Sequence, residues 1–182
     1  LLKASPNLSL AFSEYTLHLA AYGGPRDHEG RRQWAGAELS ALAKKGGGHR
    51  PIACGGLVRR IVSKTLCDFL QPEFNSLFGD TQWGVGKKAG AERVLHRVRQ
   101  LCSDKQQDPD FVLVKIDSRN AFNNISRRTF MRKVKECIPW AYNWVRYCYG
   151  SFSALRLGTQ FTIDSREGTQ QGDPLGPFLY SL

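Results

Sequence analysis

Apolar residues at Val58, Ile61, Val62, Leu66, Phe69 and Leu70 recur at intervals of three and four, which predicts an amphipathic helix closed by Pro72. Val94, Leu95, Val98, Leu101 and Cys102 repeat the pattern, with Arg93, Arg97 and Arg99 off the stripe. Phe111-Val112-Leu113-Val114 is an unbroken apolar run after Pro109 and reads as a buried strand. Ser126 is placed to cap a helix carrying Phe130, Met131, Val134 and Ile138 and stopped by Pro139. Trp140, Trp144, Val145 and Cys148 predict a further helix up to Gly150. Leu155-Arg156-Leu157 and Phe161-Thr162-Ile163 alternate about Gly158-Thr159, the pattern of a β-hairpin. Pro177 suits the first residue of a last helix that runs to Leu182.

The first thirty residues are harder to read. Leu8, Leu10, Phe12, Tyr15, Leu17 and Leu19 are apolar, and Gly23-Gly24-Pro25 ends whatever they form. Arg26 to Arg32 is polar and reads as solvated. Trp34, Leu39 and Leu42 fit a short helix or strand leading into Lys44-Lys45-Gly46-Gly47-Gly48-His49-Arg50-Pro51-Ile52, a glycine-bearing turn between two extended segments. Helices and strands alternate irregularly, so the class is α+β or α/β.

Composition adds size and charge. The 182 residues fit one domain with a real core. Lys and Arg total 26 against 16 Asp and Glu, a net charge of +10, which favours a polyanionic partner such as nucleic acid; the alternative is a basic protein without one. Cys54, Cys67, Cys102, Cys137 and Cys148 are odd in number and widely spaced, which argues against zinc ribbons and disulfide frameworks and suits a reducing compartment; all five read as small core residues. No run of eighteen apolar residues occurs, so no membrane span or membrane partner is expected.

Four places carry candidate chemistry. Asp117 follows the apolar run, where a buried carboxylate needs a metal, a cation or donors; a turn Asp capping local N–H groups is the alternative. Phe122 follows five positions later; a core aromatic is the alternative reading. Gln171-Gly172-Asp173-Pro174-Leu175-Gly176-Pro177 combines a glycine that permits close backbone approach with two prolines that stiffen the chain before a helix. Lys44, Lys45 and Arg50 flank a turn that would project their charges from one tip, suited to phosphate oxygens. Asp164, Glu167 and Asp173 read as turn residues, and the four histidines have no ligand spacing.

In this order, Lys-x-x-Gly-x-x-Arg-Pro-Ile, Lys115-Ile116-Asp117-Ser118-Arg119-Asn120-Ala121-Phe122 and Gln171-Gly172-Asp173-Pro174-Leu175-Gly176-Pro177 resemble motifs of reverse transcriptases, those of non-long-terminal-repeat retrotransposons and group II introns in particular. Thr81-Gln82-Trp83-Gly84-Val85-Gly86 with Ala91-Glu92 resembles, more weakly, the family's template-tracking segment. A Ser often stands where this chain has Gly176. The resemblance covers roughly 34–182, leaving 1–33 as an N-terminal extension of unclear role. It implies an α+β fold, an incomplete right hand with fingers and the start of a palm but no thumb. It also implies that the strand before Asp117 lacks its palm neighbours, leaving an apolar edge exposed.

By the same resemblance, the parent protein makes DNA on an RNA template from a DNA primer and deoxynucleoside triphosphates. Asp117 is its catalytic, metal-holding carboxylate for two Mg²⁺ ions. Lys44, Lys45 and Arg50 hold the triphosphate, Phe122 excludes ribonucleotides, and Gln171 with Gly172 positions the nucleotide. Gln82, Gly84 and Arg97 contact the template; Arg59, Arg60, Lys64, Arg93 and Arg99 are further basic candidates for its phosphates. The family's next motif, aromatic-x-Asp-Asp, is absent from this sequence, so the chain alone is expected to be inactive. The competing expectation is a degenerate or domesticated remnant that only binds nucleic acid; a viral RNA polymerase is a third, against which Phe122 speaks. An intracellular site of action, nuclear by analogy with eukaryotic retrotransposons, is expected.

Overall fold

The computed structural model describes residues 6–182; the first five residues of the expected extension lie outside the described residues. The chain divides into two compact units. One joins the chain up to Leu70 with Ala121–Leu182, and the other is Gln71–Asn120.

In the first unit, helix α1 spans Pro6–Tyr22 and α2 spans His28–Trp34. The segment read as solvated is therefore mostly helical: Asp27 caps α2, its carboxylate accepting from the Gly30 N–H at 2.6 Å. Strands β1 (Ala37–Ala43) and β2 (His49–Gly55) pair antiparallel, with Leu42 opposite Arg50 and Ala43 opposite His49. The glycine run makes the expected tip, closed by Lys44 N–H to Gly48 C=O at 3.0 Å. The expected second hairpin also forms, as β3 (Ser153–Leu157) and β4 (Phe161–Ser165). Parallel pairing of Ala37 and Glu38 with Leu155 and Arg156 joins the hairpins into one sheet, ordered β2-β1-β3-β4.

Helix α3 (Leu57–Phe78), α6 (Arg127–Cys137) and α7 (Tyr142–Tyr149) supply the core of this unit, with the short α5 (Ala121–Asn124) and α8 (Gly176–Ser181) beside the candidate site. The Ser126 cap on α6 forms, accepting from Thr129 N–H at 3.3 Å, and Phe130, Val134 and Ile138 are buried. Trp144, Tyr149, Phe130 and Val62 are fully enclosed, and each such apolar body stabilises by roughly 1.5–3 kcal/mol. The Trp144 indole donates to Ser63 Oγ at 3.2 Å, so the largest core side chain leaves no polar atom unmet. Of the five cysteines read as core residues, Cys67 and Cys148 are buried, Cys102 and Cys137 are half-buried, and Cys54 on edge strand β2 is exposed. Cys54 is exposed because the residues of this outer strand alternate in direction.

The second unit departs from expectation twice. Pro72 does not close α3, which continues to Phe78. A Gln71 to Asn75 side-chain hydrogen bond of 3.1 Å and the Phe74–Phe78 ring pair brace the helix across the proline. The run Phe111–Val114, read as a buried strand, forms no strand and lies largely in the open: Val112 is 75% and Val114 70% exposed. No strand among the described residues pairs with it, and an extended run without hydrogen-bonding neighbours is neither a sheet nor a core. Helix α4 (Gly90–Asp104) forms as predicted, with Val94 and Leu95 exposed.

Candidate nucleotide site

The segment from Gly168 to α8 is held from three sides. Gly168 adopts φ +63°, and a Cβ there would collide with the Asn123 carbonyl, so only glycine lets this segment lie against α5. Thr169 follows, its N–H donating to Phe122 C=O at 2.7 Å. The Ala53 N–H of β2 donates to Gln171 C=O at 2.8 Å. The loop thus takes a donor on the open edge of the sheet, the same edge toward which Pro51, two residues earlier, offers no N–H. Gly172 at φ +137° completes the approach; a Cβ there would stand 2.6 Å from the Ala53 carbonyl oxygen.

As a result Phe122, Gln171 and Gly172, distant in sequence, line one cavity of about 280 Å³ with Pro174 and Pro177. The Phe122 ring rests against Tyr180, centroids 5.1 Å apart. Lys44, Lys45 and Arg50 do not line this cavity. They are exposed at the tip of the β1-β2 hairpin. Arg50 stands three residues before Ala53, so its backbone lies about 10 Å along the strand from the bond to Gln171.

Beneath the cavity is a polar network that the sequence patterns did not reveal. The Arg59 guanidinium and Asp173 carboxylate pair at 2.8 Å, each side chain 2% exposed. Arg59 also donates to Gln170 Oε1 at 2.7 Å and to the Ala35 carbonyl, and Tyr149 donates to Asp173 at 2.7 Å. The other Asp173 oxygen accepts from Leu175 N–H at 3.0 Å. Gln170 in turn donates to Ala35 C=O and Ser153 Oγ, each at 3.1 Å. Burial works against the Arg59 charge, but Cys148, Asp173 and Tyr149 outweigh it and hold the guanidinium above its ordinary value. Burial also pushes the Tyr149 phenol well up, with Asp173 adding to it. Asp173 is therefore no simple turn residue, and Arg59 is unavailable to a template phosphate. Their partners fix the backbone on both sides of Gln171.

Arg127 is the second buried cation. It donates to the carbonyls of Gly168 at 3.0 Å and Ser165 at 2.9 Å, to Ser165 Oγ at 2.7 Å and to Glu167 C=O at 3.2 Å. Burial pushes its guanidinium down to about 10. Arg59 and Arg127 each stand 5.3 Å from the centroid of the Tyr149 ring. A signal for both existed: Arg59-Val62-Leu66-Leu70 and Arg127-Phe130-Val134 each follow helical spacing, which puts both arginines on buried stripes. Asp164, read as a turn residue, lies in β4 and pairs with Arg32 at 2.8 Å, which holds its carboxyl below the ordinary value.

The remaining candidates belong to the second unit. Asp117 is exposed and follows no strand. Gln82 accepts the Gly84 N–H at 2.7 Å, and Lys87 and Arg93 stand over the face of Trp83. Arg97 is exposed on α4. Among the described residues no three His, Cys, Asp or Glu side chains gather as metal ligands, so these residues do not by themselves complete a metal site. Among the described residues, no helix is long and apolar enough to cross a membrane.

Residues 42–182 match the model of the family described as reverse transcriptase (RNA-dependent DNA polymerase). The chain is 28% identical over 165 residues to the retrotransposable element SLACS 132 kDa protein of Trypanosoma brucei gambiense, covering 84% of this chain and 13% of that protein. It is 25% identical over 166 residues to a probable RNA-directed DNA polymerase from transposon BS of Drosophila melanogaster, covering 83% of this chain and 18% of that protein. The chain thus spans less than a fifth of the length of either relative. The ordered motifs and the family match agree: the chain belongs to the reverse transcriptase (RNA-dependent DNA polymerase) family, of the kind carried by retrotransposons.

Proposed function

We propose that this chain is the nucleotide-selecting part of an RNA-directed DNA polymerase that copies an RNA template onto a DNA primer from deoxynucleoside triphosphates. The observation that carries the reading is the cavity shared by Phe122 and the Gln171-Gly172 loop. An aromatic wall beside a backbone held to within hydrogen-bonding distance of β2 suits a flat base and a sugar without a 2′-hydroxyl. Phe122 restricts the sugar, and Gln171 and Gly172 position the nucleotide. Lys44, Lys45 and Arg50, exposed and without ion-pair partners among the described residues, neutralise the triphosphate.

Gln82, Gly84 and Arg97 contact the template, and Asp117 is one carboxylate of a two-Mg²⁺ centre whose other ligands this sequence does not supply, since it contains no Asp-Asp pair. In right-hand terms the chain is fingers with the start of a palm, 34–182, preceded by an extension, 1–33. The 182 residues alone are inactive as a polymerase, and the intact protein acts inside the cell, in the nucleus by analogy with eukaryotic retrotransposons.

The test is primer extension by the longer protein that carries this domain. Asp117→Asn is expected to abolish extension while leaving template binding within about twofold. Unchanged extension would remove Asp117 from the reaction. Salt-dependent nucleic-acid binding that deoxynucleotides do not tighten, with no extension, would favour a binding remnant instead.

A further inference from the structure

A cavity of about 550 Å³ opens between the end of α1, α2 and α7, and Arg26, Arg31, Arg146, Asn143 and Tyr147 contribute to its wall. Its volume falls in the range of small-ligand sites. No carboxylate lines it, and none of the three arginines has an ion-pair partner among the described residues. Several other arginines of this unit do have a carboxylate partner: Arg32 with Asp164, Arg59 with Asp173, Arg156 with Glu38. Three unmatched guanidinium groups around one concavity repel one another unless an anion enters.

The cavity is built rather than incidental. Asn143 donates to the last turn of α1 at Ala21 C=O, 3.0 Å, and so ties α7 to α1. Tyr147 packs against both the Trp34 and Trp144 rings, each centroid 5.8 Å away, and the two tryptophans also meet edge to face at 6.2 Å. Yet the Tyr147 hydroxyl and Arg31 Nη2 are buried polar atoms without a hydrogen-bond partner. A buried donor left unmet is costly. Burial lowers the Arg31 guanidinium from its ordinary value and pushes the Tyr147 phenol up to about 12.

We propose that this cavity binds the phosphodiester backbone of single-stranded nucleic acid through Arg26, Arg31 and Arg146, with Asn143 as a neutral donor. The choice of nucleic acid over free phosphate rests on the proposed function and on the net charge of +10; the site itself requires only phosphate oxygens. It is distinct from the Phe122-Gln171 cavity, with which it shares no lining residue.

The test needs no polymerase activity, so its failure and that of the polymerase reading are separable. Fluorescence anisotropy with a labelled single-stranded RNA is measured on the 182-residue chain, on R26Q/R31Q/R146Q, and on R128Q/R132Q/K135Q, which removes the same charge from α6. The cavity triple is expected to weaken binding at least tenfold. It should also flatten the slope of log affinity against log salt by about 2, three phosphates at ~0.7 each. The α6 triple should change affinity less than threefold. Arg146→Gln alone, at an exposed residue that leaves the core untouched, should weaken binding severalfold with an unchanged far-ultraviolet spectrum. Equal losses in both triples, or none in the cavity triple, would overturn the site. So would inorganic phosphate that perturbs the Arg31 and Arg146 side-chain resonances while RNA affinity is the same in wild type and cavity triple.

Discussion

Arg59 and Asp173 form an ion pair sealed from solvent, so each is the other's replacement for water. Removing one partner leaves a buried charge and costs about 3–5 kcal/mol, whereas removing both in favour of apolar groups can be nearly neutral. Arg59→Met or Asp173→Leu should therefore sharply lower the urea midpoint, and the double variant should recover most of the loss. Additive losses would show that the pair is not coupled. Titration offers a second check. Burial raises the Cys67 and Cys148 thiols to about 12 from 9.0. Between pH 9 and 12 the unfolded chain gives up protons that the folded chain keeps, so stability is full below pH 9 and falls as pH rises. At pH 10 the loss is about 1.4 kcal/mol per thiol. Urea midpoints at pH 8 and pH 10 should show it, and Cys148→Ala should flatten the slope. At this scale Gln171, Gly172 and Phe122 were singled out by their resemblance to family motifs, and the structure brings the three to one cavity. The role of Asp173 was not legible, because nothing beside it in sequence announces a partner more than a hundred residues away.

At the scale of elements, the strong periodicities of α3, α4, α6 and α7 and the two hairpins were readable, since each rests on local spacing and turn residues. The errors have one cause. Pro72 and the Phe111–Val114 run depend on what surrounds them, and a sequence window does not contain its surroundings. Proline inside α3 still lacks its N–H, so Pro72→Ala should stabilise the helix by up to about 3 kcal/mol. Slower amide exchange over Asp68–Asn75 would check this, and unchanged exchange would mean that the proline already costs nothing. Val112 and Val114 present exposed apolar side chains on a segment that pairs with no strand among the described residues. Val112→Thr with Val114→Thr should reduce concentration-dependent aggregation in light scattering with little change in the melting of the first unit.

Across the whole molecule, the sequence carried the family and the mixed α/β character, and the structure added how the first unit gathers distant residues into one cavity. Asp117 and the Gln82-Gly84 loop belong to the second unit, so the polymerase reading relies on the first unit for nucleotide selection. The surplus of basic groups is an electrostatic property of the full surface and fits a polyanionic partner. The most direct test of the central claim is RNA-templated primer extension by the longer protein with deoxynucleotides and with ribonucleotides, for wild type and Phe122→Val. The account predicts that wild type uses deoxynucleotides and rejects ribonucleotides, and that Phe122→Val raises ribonucleotide incorporation at least tenfold. Equal use of both by wild type, or discrimination unchanged in Phe122→Val, would contradict it.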